Sequence, residues 1–394
     1  AIPTGPSRAG RASFSKEASP MNETPKKLRL GMVGGGTDAF IGSVHRIASR
    51  IDDRFTLNAG VLSSTYQRSL ISGREVGIPQ DRIYRDFHEM ARAESMREDG
   101  IDVVSIVTPN HLHFEICKVF LAHGIHVICD KPVTTSLDQA LELQKLIEES
   151  GCEFLLTHNY SAYPMIREAQ RMVQEGQLGT IRLVNVEYIQ DWLASGNEGK
   201  QAEWRLDPTR AGAGGCIGDI GTHAFQLGQF VSGLEVETIS ADIHSFGDDR
   251  ILDDNAHIKL RYEGGARGLI WASQIAVGHE NGVKLRIYGD KGGLEFFQED
   301  PNKLWFTKLG QPKVLLTRGG PCFSGTTRIP AGHPEGFLEA FATLYTEFAD
   351  RLCGITTGEH AAPGISDGIA GMRFIDAVLA SSRSDSAWVA IAPK

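Results

Sequence analysis

The sequence predicts an α/β fold, in which an N-terminal doubly wound parallel sheet precedes an α+β domain with a large, mostly antiparallel open sheet. A length of 394 residues suits two domains. In the first half, short apolar runs alternate with helical spacing, which is typical of a parallel sheet. From residue 180 onward the chain contains longer runs of alternating apolar and polar residues between turns, which indicates an antiparallel sheet with helices on one face.

The strands of the first half are short apolar runs that end at Gly, Asn, Asp or Pro. We predict them at residues 28–33, 55–62, 102–107 and 126–129. Helical spacing follows at residues 41–51, 112–122 and 136–149. Ser136 and Gln139 have capping-box spacing at the start of the third of these helices.

The pattern changes near residue 151, so we predict one domain at 28–150 and another at 151–394. Beyond this boundary we predict a strand at 154–157 and a helix at 164–174. The longer strands are expected at 181–189, 237–246, 256–262, 266–274, 283–288 and 293–297, and two C-terminal helices at 336–351 and 366–380.

Composition argues against several classes of function. The formal charge is −9 and no long basic run is present, which disfavours a nucleic-acid partner. No apolar run has the length of a membrane span. The six cysteines form no Cys-x-x-Cys pair, as expected for reduced thiols in a cytoplasmic protein. Residues 1–27 are rich in Gly, Pro, Ser and basic residues and are predicted to be a disordered N-terminal extension.

A glycine-rich turn, Gly34-Gly35-Gly36, lies between the first strand and the first helix. There the first glycine would allow a tight turn, and the second would let the backbone approach a pyrophosphate at the helix N-terminus. Either Ala39 or Gly42 could occupy the third position of the motif. By itself the turn is a weak signal, because a glycine-rich turn that binds no nucleotide is the alternative.

The second strand ends without the carboxylate that commonly holds the ribose of NAD. Ser63, Ser64 and Thr65 stand there instead, with Arg68 nearby. Small hydroxyl residues could bind a plain ribose, or they could accept a 2′-phosphate with the arginine as its counter-charge. The expected cofactor is therefore NAD or NADP.

Two further segments point to acid–base chemistry. Lys131, followed by Pro132, ends a predicted parallel strand, at the sheet edge where ligands of open α/β sheets bind. Asp219 and His223 are four residues apart and would share one face of a helix. The alternatives are a solvated turn lysine and a purely structural Asp–His hydrogen bond. We predict no metal, because no third ligand stands at a recognised spacing.

Together these segments resemble the Gfo/Idh/MocA family of oxidoreductases from about residue 28 to the C-terminus. The motifs that carry the resemblance are Gly34-x-Gly36, Ile41-Gly42-x-x-His45, Thr108-Pro109-Asn110 with His113, Asp130-Lys131-Pro132 and Asp219-x-Gly221-x-His223. The family more often has Glu at the position of Asp130. The resemblance implies a Rossmann domain, a second α/β domain, and a homodimer or homotetramer formed through the C-terminal sheet.

The resemblance also implies roles for individual residues. Lys131 and His223 would form the catalytic pair, with Asp219 orienting the substrate; which of the pair is the base stays open. The expected cofactor-binding residues are Gly34, Gly36, Phe40, Ile41, Ser63, Ser64, Arg68, Thr108, Pro109, Asn110, His113, Asp130 and Lys131. The expected substrate-binding residues are Lys131, Asn159, Tyr160, Trp192, Arg205, Asp219 and His223.

The predicted function is hydride transfer between a nicotinamide cofactor and a secondary alcohol or ketone of a sugar, glycoside or cyclitol. One alternative is a relative that uses transient oxidation for epimerisation or glycoside cleavage. Another is a non-catalytic redox sensor that binds NAD(P). The presence of all three predicted catalytic residues argues against the sensor.

Overall fold

The computed structural model describes residues 27–37, 39–195, 204–205, 207–247, 250–355 and 362–391. The predicted N-terminal extension lies outside these ranges, apart from Lys27. The first sheet has five parallel strands in the order β2-β1-β3-β4-β5. These strands are β1 Leu28–Gly34, β2 Phe55–Val61, β3 Val103–Val107, β4 His126–Cys129 and β5 Phe154–Leu156.

Helices pack against this sheet. They are α1 Phe40–Ile51, α2 Tyr66–Glu75, α3 Phe87–Ser95, α4 His113–Ala122 and α5 Leu137–Ser150. The alternating pattern predicted α1, α4 and α5 but not α2 and α3. The hydroxyl of Ser136 caps α5 by accepting a hydrogen bond from the N–H of Gln139 at 3.4 Å. The Gln139 side chain accepts a hydrogen bond from Thr135 instead of closing the second half of a capping box.

The first sheet extends beyond the boundary predicted at residue 150. Strand β5 pairs in parallel with β4, with Val127 opposite Phe154 and Cys129 opposite Leu156. A strand that pairs with the first sheet belongs to that sheet's core, so the sheet ends at Leu156. The change of sequence pattern near residue 151 marks the end of α5 and not the end of the sheet.

The second sheet has nine strands in the order β13-β12-β11-β10-β6-β9-β8-β7-β14. All its pairs are antiparallel except β6 with β9. The sequence did not predict the last three strands. The nine are β6 Ile181–Ile189, β7 Val236–His244, β8 Asn255–Tyr262, β9 Arg267–Ser273, β10 Gly282–Gly289, β11 Gly292–Phe297, β12 Lys303–Lys308, β13 Val314–Thr317 and β14 Val389–Ala390.

The remaining helices follow the first sheet in the chain. They are α6 Pro164–Gln174, α7 Pro208–Ala211, α8 Thr222–Ser232, α9 Phe337–Leu352 and α10 Ile365–Arg383. Helix α9 returns to the first domain and packs on α1, where the rings of His45 and Phe341 lie 5.0 Å apart. This contact joins the C-terminal part of the chain to the helix that follows the glycine turn.

Within the described ranges, no helix is long and apolar enough to cross a membrane. The same part of the chain holds no group of three His, Cys, Asp or Glu side chains that could bind a metal ion. All six cysteines are free thiols, and four of them are buried.

Candidate active site

The glycine turn after β1 has the tight geometry that its sequence predicted. Gly34 and Gly35 have φ values of +83° and +69°, a region that side chains disfavour. A Cβ on Gly34 would lie 2.7 Å from the carbonyl oxygen of Val107. A Cβ on Gly42 would lie 2.3 Å from the Cα of Gly35, so Gly42 and not Ala39 provides the close contact between helix and strand.

Helix α1 begins directly after this turn and has no side-chain cap, because Ala39 occupies the N-cap position. Its first N–H groups and the positive end of its dipole are therefore available to a phosphate. Phe40, at the first position of the helix, is 62% exposed and lies beside Phe337. Ile41 is half-buried. This turn is a cradle that fits a pyrophosphate.

The rest of the expected nucleotide site borders the same crevice. Ser63 and Ser64 follow β2 at its carboxyl end, and Arg68 is exposed on the first turn of α2. At the end of β3, the hydroxyl of Thr108 is buried and has no hydrogen-bond partner in the described part of the chain. A buried, unpaired hydroxyl beside a glycine cradle fits a ligand with polar groups such as a dinucleotide.

Three predicted cofactor residues are occupied by protein contacts. His113 is buried, and its two ring nitrogens lie 2.9 Å from the carbonyl oxygens of Thr108 and Pro132. The amide of Asn110 donates to the carbonyl of Ala211 at 2.9 Å. His113 thus holds the segments that follow β3 and β4 together, and Asn110 links the segment after β3 to Ala211.

Asp130 is the third such residue. Its Oδ1 accepts a hydrogen bond from Thr157 at 2.5 Å and lies 3.0 Å from Nε2 of His45. Burial alone would raise the pKa of this carboxyl, but His45 and Thr157 outweigh burial and lower it. Asp130 therefore anchors the backbone next to Lys131, whose peptide bond to Pro132 is cis.

Lys131 and Asp219 form an ion pair between the two domains. The lysine Nζ lies 2.9 Å from Oδ1 of Asp219 and also donates to the Asp219 carbonyl. Oδ2 of Asp219 accepts from Gln274 at 3.0 Å and lies 3.4 Å from Nε of Arg205. Burial would raise the pKa of Asp219, but Lys131 and Arg205 hold it well below its ordinary value.

His223 points to a different partner from the one that its spacing suggested. Residues Ile217–Gly221 form a π-helical turn before α8, so Asp219 and His223 do not follow ordinary α-helical geometry. Nδ1 of His223 lies 3.3 Å from Nδ1 of His158, and its ring packs against Tyr160 at 4.9 Å. Burial, the charge of Lys131 and the neighbouring His158 together lower the pKa of His223 well below its ordinary value.

A small cavity that is partly open to solvent lies beside Asp219. It is lined by Asn110, Leu193, Trp204, Arg205, Ala211, Gly214, Gly215, Asp219, Asp253 and Gln274. Trp192, predicted to bind substrate, does not line this cavity, whereas its neighbour Leu193 does. The guanidinium of Arg205 lies over the ring of Trp204, 4.4 Å from its centroid.

Tyr160 lies beside His223, and it shares the short helical turn after β5 with Asn159. Nδ2 of Asn159 is buried and, within the described residues, donates no hydrogen bond. The hydroxyl of Tyr160 lies 2.7 Å from that of Tyr188. The unpaired amide is a donor that a ligand hydroxyl could satisfy, whereas the tyrosine hydroxyl already has a protein partner.

Three residues of the site were not assigned to it from the sequence. His158 follows a predicted strand, but nothing in the sequence indicates its contact with His223. Gln274 directly follows β9, which runs parallel to β6, so the shared carboxyl edge of the two strands is a signal that could have found it. Asp253 lies in a loop and accepts from the N–H groups of Gly215 and Ile217, and no spacing in the sequence indicates this role.

Comparison with family models covers both domains. Residues 28–158 match the model described as "Oxidoreductase family, NAD-binding Rossmann fold", and residues 166–295 match "GFO/IDH/MocA C-terminal domain". The chain belongs to the Gfo/Idh/MocA family. This result confirms the predicted resemblance, the fold class and the enzyme class, an oxidoreductase that uses a nicotinamide cofactor.

Solved structures and curated relatives of this family match over most of the chain. An oxidoreductase from Sinorhizobium meliloti is 50% identical, with a TM-score of 0.86, and the match covers 92% of this chain and 99% of that one. An inositol dehydrogenase homologue from Azotobacter vinelandii, complexed with NADH and myo-inositol, is 33% identical, with a TM-score of 0.87 and coverage of 93% and 98%. A levoglucosan dehydrogenase of Pseudarthrobacter phenanthrenivorans is 26% identical over 92% of this chain and 98% of its own length.

Proposed function

We propose that this oxidoreductase transfers a hydride between NAD and a secondary hydroxyl of a sugar, glycoside or cyclitol. The observation that carries the proposal is the meeting of Lys131, Asp219 and the His223 segment beside one crevice, next to the glycine cradle. The family members complexed with myo-inositol and levoglucosan support a hydroxyl-rich substrate. The unpaired amide of Asn159 adds a donor for such a substrate.

The cofactor would be held by the Gly34–Gly36 turn, the first N–H groups of α1 and the hydroxyl of Thr108. When bound, its nicotinamide ring supplies or accepts the hydride. The family model and the neighbours crystallised with NAD⁺ or NADH support NAD as the cofactor. NADP stays a prediction that depends on whether Ser63, Ser64 and Arg68 accept a 2′-phosphate.

The roles of Lys131 and His223 follow from the hydrogen-bonding groups that they offer. Lys131 donates two hydrogen bonds to Asp219, and the third N–H of its ammonium group can donate to the substrate oxygen. His223 is neutral at physiological pH because burial and Lys131 lower its pKa. A neutral imidazole can accept the hydroxyl proton, so His223 is the proposed base in the oxidising direction.

Asp219 holds the lysine and shapes the floor of the cavity. Its carboxylate contacts Lys131, Gln274 and Arg205 at once, so these three donors keep fixed positions around the substrate. Such fixed donors can stabilise the negative charge that develops on the substrate oxygen as its proton leaves.

The test is turnover of NAD with a panel of cyclitols, anhydrosugars, aldoses and sugar acids, followed by reduced-nicotinamide absorbance. We expect at least one compound to reduce NAD and His223→Ala to abolish the signal. NAD binding without turnover on any compound would favour the redox sensor. Conversion of a glycoside or epimer without net NADH would favour transient oxidation.

We also propose that a second copy of the chain covers the outer face of the second sheet. Leu183 on β6 and Leu269 on β9 are 44% and 53% exposed on that face, close to each other in the register of the two strands. Trp271 stacks on His257 across the same face. Light scattering at micromolar concentration tests this proposal: we expect a dimer or tetramer for the parent chain and a smaller species for Leu269→Glu.

A further inference from the structure

The closest side-chain partner of His223 is a second histidine. Nδ1 of His158 and Nδ1 of His223 lie 3.3 Å apart, and the two rings are nearly perpendicular, at 87°. Both residues are buried, at 2% and 6% exposure. The contact joins the turn after β5 to the start of α8 and therefore crosses between the two parts of the fold.

Two nitrogens at this distance form a hydrogen bond only if one carries a proton and the other does not. Burial keeps both rings neutral, and the charge of Lys131 acts in the same direction. A neutral imidazole has one N–H and one bare nitrogen. If Nδ1 of one ring is the donor, the other ring must therefore carry its proton on Nε2. The two tautomers are opposite and linked.

We propose that His158 is a positioning residue that fixes the tautomer of His223. When His158 accepts at Nδ1, His223 carries its proton on Nδ1 and its Nε2 is bare and able to take a proton from the substrate. When His158 donates, Nε2 of His223 carries the proton and can give it to a carbonyl oxygen. This inference rests on the proposed function only for its catalytic consequence.

The side chains around the pair leave His158 as the group that can set the tautomer of His223. The other titratable side chains in ring contact with His223 are Tyr160 and Tyr188, whose hydroxyls are bonded to each other. Asp219 directs both carboxylate oxygens to Lys131, Gln274 and Arg205. Among the residues that the structure describes, His158 is thus the only side chain hydrogen-bonded to the ring of His223.

Nitrogen NMR of the intact protein labelled with ¹⁵N-histidine tests the linkage directly. The chain has 13 histidines; the signals lost in His158→Asn and in His223→Ala assign the pair, and the surface variant His88→Asn is the matched control. At neutral pH we expect one member of the pair to be protonated at Nδ1 and the other at Nε2. Protonation of both at Nε2, the usual form of a free imidazole, would overturn the proposal whatever the catalytic activity.

Steady-state kinetics then test the catalytic consequence of the linked tautomers. We expect His158→Phe, which has no ring nitrogen, to lower kcat by roughly tenfold or more with little change in the Kd for NADH. His158→Asn keeps a polar atom near the position of Nδ1 and should recover most of the loss. Equal losses in both variants would argue for a merely structural role. If the parent chain shows opposite tautomers but no turnover on any polyol, the proposed function fails and the linkage stands.

Discussion

Replacement of Lys131 by methionine removes the ammonium group and keeps most of the side-chain volume. We expect kcat/KM for the polyol to fall by at least about 100-fold, since acid–base groups contribute roughly 10²–10⁴-fold. A 100-fold loss corresponds to about 2.7 kcal/mol of transition-state stabilisation. The Kd for NADH should change little, because the cradle at Gly34–Gly36 and the start of α1 are untouched.

The same substitution should also lower the free energy of unfolding, by an amount that the structure limits. Breaking a buried ion pair costs about 3–5 kcal/mol when it leaves an unpaired charge. Asp219 would keep Gln274 at 3.0 Å and Arg205 at 3.4 Å, so we expect a loss below that range. Without the lysine the pKa of Asp219 would rise toward its ordinary value, because the first of the two cations that lower it is gone.

The assay pairs steady-state kinetics with titration of NADH fluorescence and denaturant unfolding. Lys118→Met is the matched control, since Lys118 is an exposed lysine paired with Glu142 at 3.6 Å outside the crevice. We expect the control to keep its activity and to lose less than about 1 kcal/mol of stability. Normal turnover in Lys131→Met, or an equal loss in the control, would refute the role of the lysine.

Three further results follow from the geometry. Gly42→Ala places a Cβ against Gly35, which would displace the start of α1 and should weaken NADH binding by about tenfold or more. Gly336→Ala, with open space around the added Cβ, should not weaken NADH binding. Calorimetry compares NADH binding by the two variants. Asn159→Ala removes a buried amide donor that no described group satisfies, so KM for the polyol should rise while the melting temperature of the ligand-free protein should not change. A large fall in that melting temperature would contradict this prediction. Burial and the charge of Lys131 lower the pKa of His158 to about 3. Between pH 6.5 and 3 the unfolded chain therefore binds a proton that the folded chain does not. The free energy of unfolding should fall as the pH drops through this range, by up to about 1.4 kcal/mol per pH unit. His158→Asn should flatten that slope in denaturant titrations, and an unchanged slope would show that the residue is not neutral in the fold.

Much of the first domain could be predicted because its strands are buried on both faces. Val103–Val107 is buried throughout and apolar apart from Ser105, and the turn residues around it mark its ends. The edge of the second sheet could not be predicted in this way. Strands β12 and β13 are short and largely half-buried or exposed, so they show little alternation. They are strands because β12 pairs with β11 and β13 pairs with β12.

The candidate site likewise contains residues that the sequence could predict and contacts that it could not. Lys131 and His223 stand in local motifs, and their segments could be found from the sequence. The spacing of Asp219 and His223 suggested one face of an α-helix, but the π-helical turn at Ile217–Gly221 alters that geometry. The contact of His223 with His158 joins two segments that the fold alone brings together, so no local pattern contains it.

The most direct test of this account is a crystal structure of the protein with NADH and the polyol that the turnover panel identifies. We predict that the hydroxyl to be oxidised lies within hydrogen-bond distance of both Nζ of Lys131 and the free ring nitrogen of His223. We also predict that the nicotinamide ring faces the carbon that bears this hydroxyl. A polyol bound away from these two side chains, or a dinucleotide bound outside the crevice at Gly34–Gly36, would contradict the account.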